Sequence, residues 1–91
     1  MKYIVMQTTR KGMVREFPIL FPDALTHAVV AAALERHCEE LTGARPVSAG
    51  FISSTVIDEG CYGESETLRL KSRGAADDQL IAMLDYTHGI R

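Results

Sequence analysis

The sequence predicts an α+β domain in which a four-stranded, largely antiparallel sheet carries two helices on one face. Two observations predict it. Segments rich in strand-forming residues come in two hairpin-like pairs, and each pair is followed by a stretch whose apolar residues recur at helical spacing. The order is β-β-α-β-β-α, with a faint suggestion of a repeat. The 91 residues, 46% of them apolar, suit a single domain spanning 1–91 around one core.

Lys2 to Thr9 opens the first hairpin, with Tyr3, Val5 and Gln7 on one face and Ile4, Met6 and Thr8 on the other. Arg10-Lys11-Gly12 is the turn, because glycine supplies the positive φ that tight hairpins need. Val14 to Phe21 returns, and Pro18, which has no N–H to give a ladder, places this strand at an edge. Phe21-Pro22-Asp23 ends it. Thr26 is the expected N-cap of the main helix. Val30, Leu34, Cys38 and Leu41 form its apolar face, and Gly43 stops it in left-handed conformation.

Pro46 to Ile57 reads as the third strand, with Val47, Ala49, Phe51 and Ser53 on one face. Asp58-Glu59-Gly60 turns the chain, and Tyr62 to Lys71 forms the returning strand. Leu68, Leu70 and Glu66 share one side of that strand; Ser65, Thr67, Arg69 and Lys71 share the other. Gly74 to Tyr86 is the second helix. Asp77 and Asp78 sit at its positive end, and Leu80, Ile81 and Leu84 form its apolar face.

Ten basic and twelve acidic side chains give a net charge of −2, which argues against a general nucleic-acid coat. The charge is uneven: Lys2, Arg10, Lys11 and Arg15 face only Glu16 in residues 1–22, and acids dominate from Asp23 to Gly43. The opening MKYIVMQTTR has too short an apolar run for a signal peptide, and no stretch approaches the roughly 20 apolar residues of a membrane helix. With only Cys38 and Cys61, a disulfide framework is not expected, and the reading is a cytoplasmic chain with reduced thiols.

Several side chains are candidates for chemistry. Cys61 lies in a predicted turn, but Asp58, Glu59 and Glu64 surround it and no activating base is near in sequence, so it reads as a packed thiol. His27, His37, Cys38, Cys61 and His88 show no metal-ligand spacing, and neither a metal nor a cofactor is expected. His27, just after the N-cap, could meet an anion or act as acid or base. Arg69, Lys71 and Arg73 alternate, which on a strand would align three cations at roughly 6.5–7 Å, near the spacing of phosphates. Ser48 and Ser65 could pair across neighbouring strands.

Three stretches together, FPDALTHAVV, RPVSAGF and GESETLRLKSRG, resemble a group of small uncharacterised bacteriophage and prophage proteins. Their pattern runs from a phenylalanine-led turn and a histidine, through P-V-S-A-G-F, to a G-x-S-x-S-L-x-L strand. Thr67 stands here at the second serine, and the helix VVAAALERHCEELTGA is longer than in the shorter members. The resemblance implies phage or prophage origin and no established activity, and it transfers no catalytic residue. It directs attention to His27, Ser48 and Ser65, with Glu66 beside them.

The expected function is therefore that of a non-enzymatic accessory protein. It would work through contacts with a host or phage protein and with itself as a homodimer, and not at a membrane. A nucleic-acid or anion module using Arg69, Lys71 and Arg73 is the alternative. A small enzyme using Cys61 or His27 is third.

Overall fold

The computed structural model describes residues 1–52 and 60–89, with 84–89 described by backbone alone. Strands β1 (Lys2–Arg10) and β2 (Met13–Phe21) form the first hairpin, followed by helix α1 (His27–His37) and a 3₁₀ turn, Glu39–Leu41. Strand β3 (Arg45–Ile52) comes next, then three two-residue strands, β4 (Cys61–Tyr62), β5 (Glu64–Ser65) and β6 (Leu70–Lys71), and helix α2 (Ala75–Gly89). The main sheet is antiparallel in the order β2-β1-β3-β4, and β5-β6 is a separate small hairpin. The fold is α+β, as the sequence predicts.

Arg10 pairs with Met13 across a two-residue turn, with φ of 52° at Lys11 and 78° at Gly12. Positive φ at both central residues is what lets a two-residue turn follow the twist of its strands. For Lys11 the left-handed conformation costs about 1–2 kcal/mol. Pro18 lies in β2, and β2 is an edge strand, so the missing N–H disrupts no central ladder.

The two helices lie on opposite faces of the sheet, not together on one. Tyr3, Ile4, Val5 and Met6 are all fully buried in central β1. Successive strand residues point to opposite faces. Ile4 and Met6 join Phe21, Val30, Ala31, Leu41, Ala44 and Ala49 beneath α1. Tyr3 and Val5 join Cys61 and Ile81 beneath α2. A run of four apolar residues buried on both sides needs cover on both sides, so the face expected to be open is occupied by α2.

Strand β3 departs from simple alternation. Its partners step from Val5↔Ser48 to Met6↔Pro46, so Val47 is a bulge residue. The extra residue turns Val47 toward the α2 cluster, while Ala49 keeps to the α1 side. The predicted extension of this strand to Ile57, with Ser53 on its face, and the Asp58-Glu59 turn lie outside the described residues.

The predicted returning strand from Tyr62 to Lys71 is broken. Gly63 has φ of 79°, and a side chain there would crowd the Phe51 ring. The chain bends at Gly63 and doubles back through residues 66–69, where Arg69 has φ of 56°. Helix α1 also ends sooner than predicted, because Cys38 adopts an extended backbone before the 3₁₀ turn. Leu41 still reaches the core, and Gly43 has the expected positive φ of 79°.

Gly50 is the tightest position in β3. A Cβ there would collide with the Tyr62 carbonyl oxygen and lie 3.2 Å from the Ser72 Cβ. Gly50→Ala must push β4 away and is expected to destabilise the protein by about 1–3 kcal/mol. Urea denaturation measures this, and an unchanged midpoint would show that β4 yields freely.

Candidate functional site

The sequence-predicted residues divide between the two faces. On the α1 side, Thr26 caps the helix by accepting the Val29 N–H at 3.2 Å. The Ala28 N–H is taken by Thr67 Oγ1, also at 3.2 Å, which ties the β5-β6 hairpin to the helix start. Two of the free donors that would attract an anion to this end are thus already used by hydroxyls.

His27 is 4% exposed and sits between the rings of Phe21 and Phe51, edge-on to both, at centroid distances of 5.3 and 5.8 Å. Its Nε2 lies 3.0 Å from the Gly50 carbonyl oxygen. A carbonyl only accepts, so Nε2 carries the proton, and a neutral ring is fixed in that tautomer. A cleft of about 370 Å³ opens beside it, lined by Lys2, Phe51, Glu64, Glu66 and Thr67. Glu66 is in this cleft because of the tight turn, not because it shares a strand face with Leu68 and Leu70.

Ser65 lies just under that turn and is 1% exposed. Its Oγ accepts the Leu68 N–H at 3.2 Å and is 3.3 Å from Thr67 Oγ1. The hydroxyl shapes the turn and is not presented as a nucleophile. Ser48 is on the other face of the sheet, so it meets neither His27 nor Ser65. Its hydroxyl is fully buried and has no partner at full hydrogen-bond geometry. It acts on the neighbouring Asp77 carboxylate as an oriented dipole and helps to hold it ionised.

Asp77 is the centre of the α2 face and is fully buried. Its carboxylate accepts the Tyr3 hydroxyl at 2.6 Å, the Arg73 N–H at 2.9 Å and Arg73 Nε at 2.8 Å. Arg73 also grips Glu16 with both terminal nitrogens, each at 3.0 Å. The chain of polar contacts continues from Glu16 to Gln7 Nε2 and from Gln7 Oε1 to Arg45. It therefore crosses β2, β1 and β3.

Burial alone would raise the pKa of Asp77. The Tyr3 hydroxyl, the Arg73 backbone, the Ser48 dipole and the guanidinium together outweigh it and hold Asp77 below the ordinary carboxylate range. Glu16 is held low chiefly by its bonds to Arg73. Tyr3 is pushed up, first by burial and then by its acceptor, Asp77. This network was not foreseen from sequence; Glu16 as the lone acid among early bases is the signal that points to it.

The three alternating cations do not share a strand face. Arg69 is in the turn, Lys71 is in β6, and Arg73 lies beyond the strand in its ion pairs. Cys61 is buried, and its thiol is pushed up to about 12, first by burial and then by the Asp78 carboxylate. Asp78 also accepts the Cys61 N–H at 2.6 Å. A thiol in that setting is protonated at neutral pH and is no nucleophile.

Among the described residues, no group of three His, Cys, Asp or Glu side chains is placed to hold a metal ion. The side chain of His88, another candidate, and that of Leu84 lie outside the description. No helix among the described residues is long and apolar enough to cross a membrane. No protein-family model, curated protein or solved structure matches the chain.

Two predictions follow from the Asp77 and Cys61 environments. Asp77 and Glu16 titrate lower folded than unfolded, so their stabilisation is complete above about pH 5 and is lost as pH falls through their folded values. Tyr3→Phe should cost about 1.5–3 kcal/mol at neutral pH in urea unfolding, because a buried carboxylate loses a donor. A smaller loss in acid than at neutral pH is expected for this variant; an equal loss at both would remove the carboxylate from the explanation. Cys61 should resist a disulfide reagent at about pH 8 until the protein unfolds, whereas half-buried Cys38 reacts earlier. Equal rates for the two thiols would contradict the burial described.

Proposed function

We propose that this chain is a small, non-enzymatic accessory protein of the bacteriophage or prophage type, cytoplasmic, acting through protein–protein contacts, with a second copy of itself as its first partner. The apolar groove beside α1 carries this reading. It has a volume of about 360 Å³ and is walled by Leu25, Val29, Ala33, Leu34 and Phe21, with His37 as the ionisable side chain at its wall. Val29 is 59% exposed and Leu25 43% exposed.

The groove supports self-association because α1 supplies both an exposed ridge, at Val29, and part of the recess. Two copies related by a twofold axis can each offer the ridge to the other's recess. The neighbouring β2 edge is unpaired among the described strands, but Pro18 interrupts its row of N–H donors. Side-chain contact between α1 helices is therefore favoured over a continuous sheet across the two copies.

Light scattering should show a dimer whose fraction rises across the micromolar range. Val29→Asp should give a monomer whose unfolding free energy stays within about 0.5 kcal/mol of the parent, since the site is exposed. A parent protein that is monomeric throughout, or a dimer unaffected by Val29→Asp, would overturn the proposal.

A further inference from the structure

The tip of the first hairpin carries a second concavity, of about 570 Å³, on the α1 side but beyond the end of that helix. The register builds it. Arg10 pairs with Met13, Thr8 with Arg15 and Met6 with Phe17, so these residues project from one face of the hairpin. Glu40, from the 3₁₀ turn, forms the opposite rim. Its backbone carbonyl accepts a hydrogen bond from Arg10 Nη2 at 3.2 Å and so fixes that guanidinium at the mouth.

Three cations, Arg10, Lys11 and Arg15, line this space against the single carboxylate of Glu40. Among the described residues, neither Lys11 nor Arg15 has a carboxylate within ion-pair distance. Arg73, by contrast, is neutralised by Glu16 and Asp77. Arg10, Lys11 and Arg15 thus gather around one concavity, whereas the segment from Arg69 to Arg73 has its last cation already paired. Phe17 and Met13 add an apolar wall next to the charges, and Thr8 is buried among the lining residues.

We infer that this concavity binds a small phosphate-bearing ligand with a planar or apolar portion, of the nucleotide class. The cations would take the phosphate, with Arg10 and Arg15 able to offer paired N–H donors. The planar group would rest on Phe17. The volume is that of a small-molecule site, which lies within roughly 300–1,000 Å³. The protein's net charge of −2 favours a single small ligand over a long nucleic-acid track.

The test is titration of the full chain, followed by amide NMR, with inorganic phosphate, adenosine monophosphate and a short single-stranded oligonucleotide. Adenosine monophosphate is expected to shift resonances from Thr8 to Phe17, to bind more tightly than phosphate, and to weaken between about 20 and 200 mM salt. Arg15→Ala should reduce its affinity about tenfold, the scale of one charge-assisted contact, whereas Lys71→Ala should leave it unchanged. All these substitutions are at exposed positions, and unchanged spectra outside the tip verify the fold. The inference is overturned if none of the probes shifts the tip at low salt, or if binding survives Arg15→Ala combined with Lys11→Ala. Phosphate binding as tightly as the nucleotide removes the role of Phe17. A steep oligonucleotide salt dependence, reporting many phosphates, replaces the pocket with a polymer track.

Discussion

A fully buried carboxylate is tolerable only where several donors converge on it, and the placement of α2 depends on that condition at Asp77. Its donors come from β1 and from the segment before the helix, and the bond from Arg73 to Glu16 extends the attachment to β2. Ile81 is the buried apolar contact of the same helix among residues with described side chains. The helix is thus oriented by directional bonds, with Ile81 and Leu80 packed on the cluster beneath it. Isolated surface ion pairs contribute little, but Asp77 is fully buried, so each partner it lost would leave part of a charge unsatisfied.

The opposite face is built differently. Ile4, Met6, Phe21, Val30 and Leu41 make an apolar core, and beside it lies the buried ring of His27, whose proton goes to a backbone carbonyl. Apolar contacts are non-directional, so this face tolerates a helix that leaves a groove beside β2 and ends before it covers the hairpin tip. Both surfaces offered for binding result from that incomplete cover.

Much of the backbone was legible in the sequence because local rules determined it. Thr26 as N-cap, the left-handed backbone of Gly43, the Lys11-Gly12 turn and Pro18 at an edge each depend on one or two residues, although the helix that Gly43 was expected to stop ends earlier, at Cys38. The side on which α2 packs was also legible, in the unbroken apolar run Tyr3-Ile4-Val5-Met6, but an alternating reading of that strand concealed it. The broken strand after Tyr62 was harder to read. Leu68 and Leu70 keep a strand period, while the bend depends on Gly63 meeting Phe51 and on Thr67 meeting the start of α1, contacts distant in sequence. The same holds for the candidate site. Ser48 and Ser65 look equivalent as buried serines in matching stretches, yet the bulge at Val47 and the sheet between them put them in unrelated environments. Arg73 looked like a free cation because its partner, Glu16, is 57 positions away.

The position of Tyr3 has a consequence for how the chain assembles. It lies in the central strand, near the start of the sequence, yet its hydroxyl bonds to a residue 74 positions later. The first hairpin can close locally, but during synthesis β1 must wait for β3 to satisfy its second edge and for α2 to satisfy its tyrosine. Loop-closure entropy makes such distant pairings slow to form. Until they do, Tyr3 and Val5 are exposed on one side and Ile4 and Met6 on the other. The strand that becomes the most deeply buried part of the protein is therefore exposed early, and the later of the two helices to emerge is the one that encloses it.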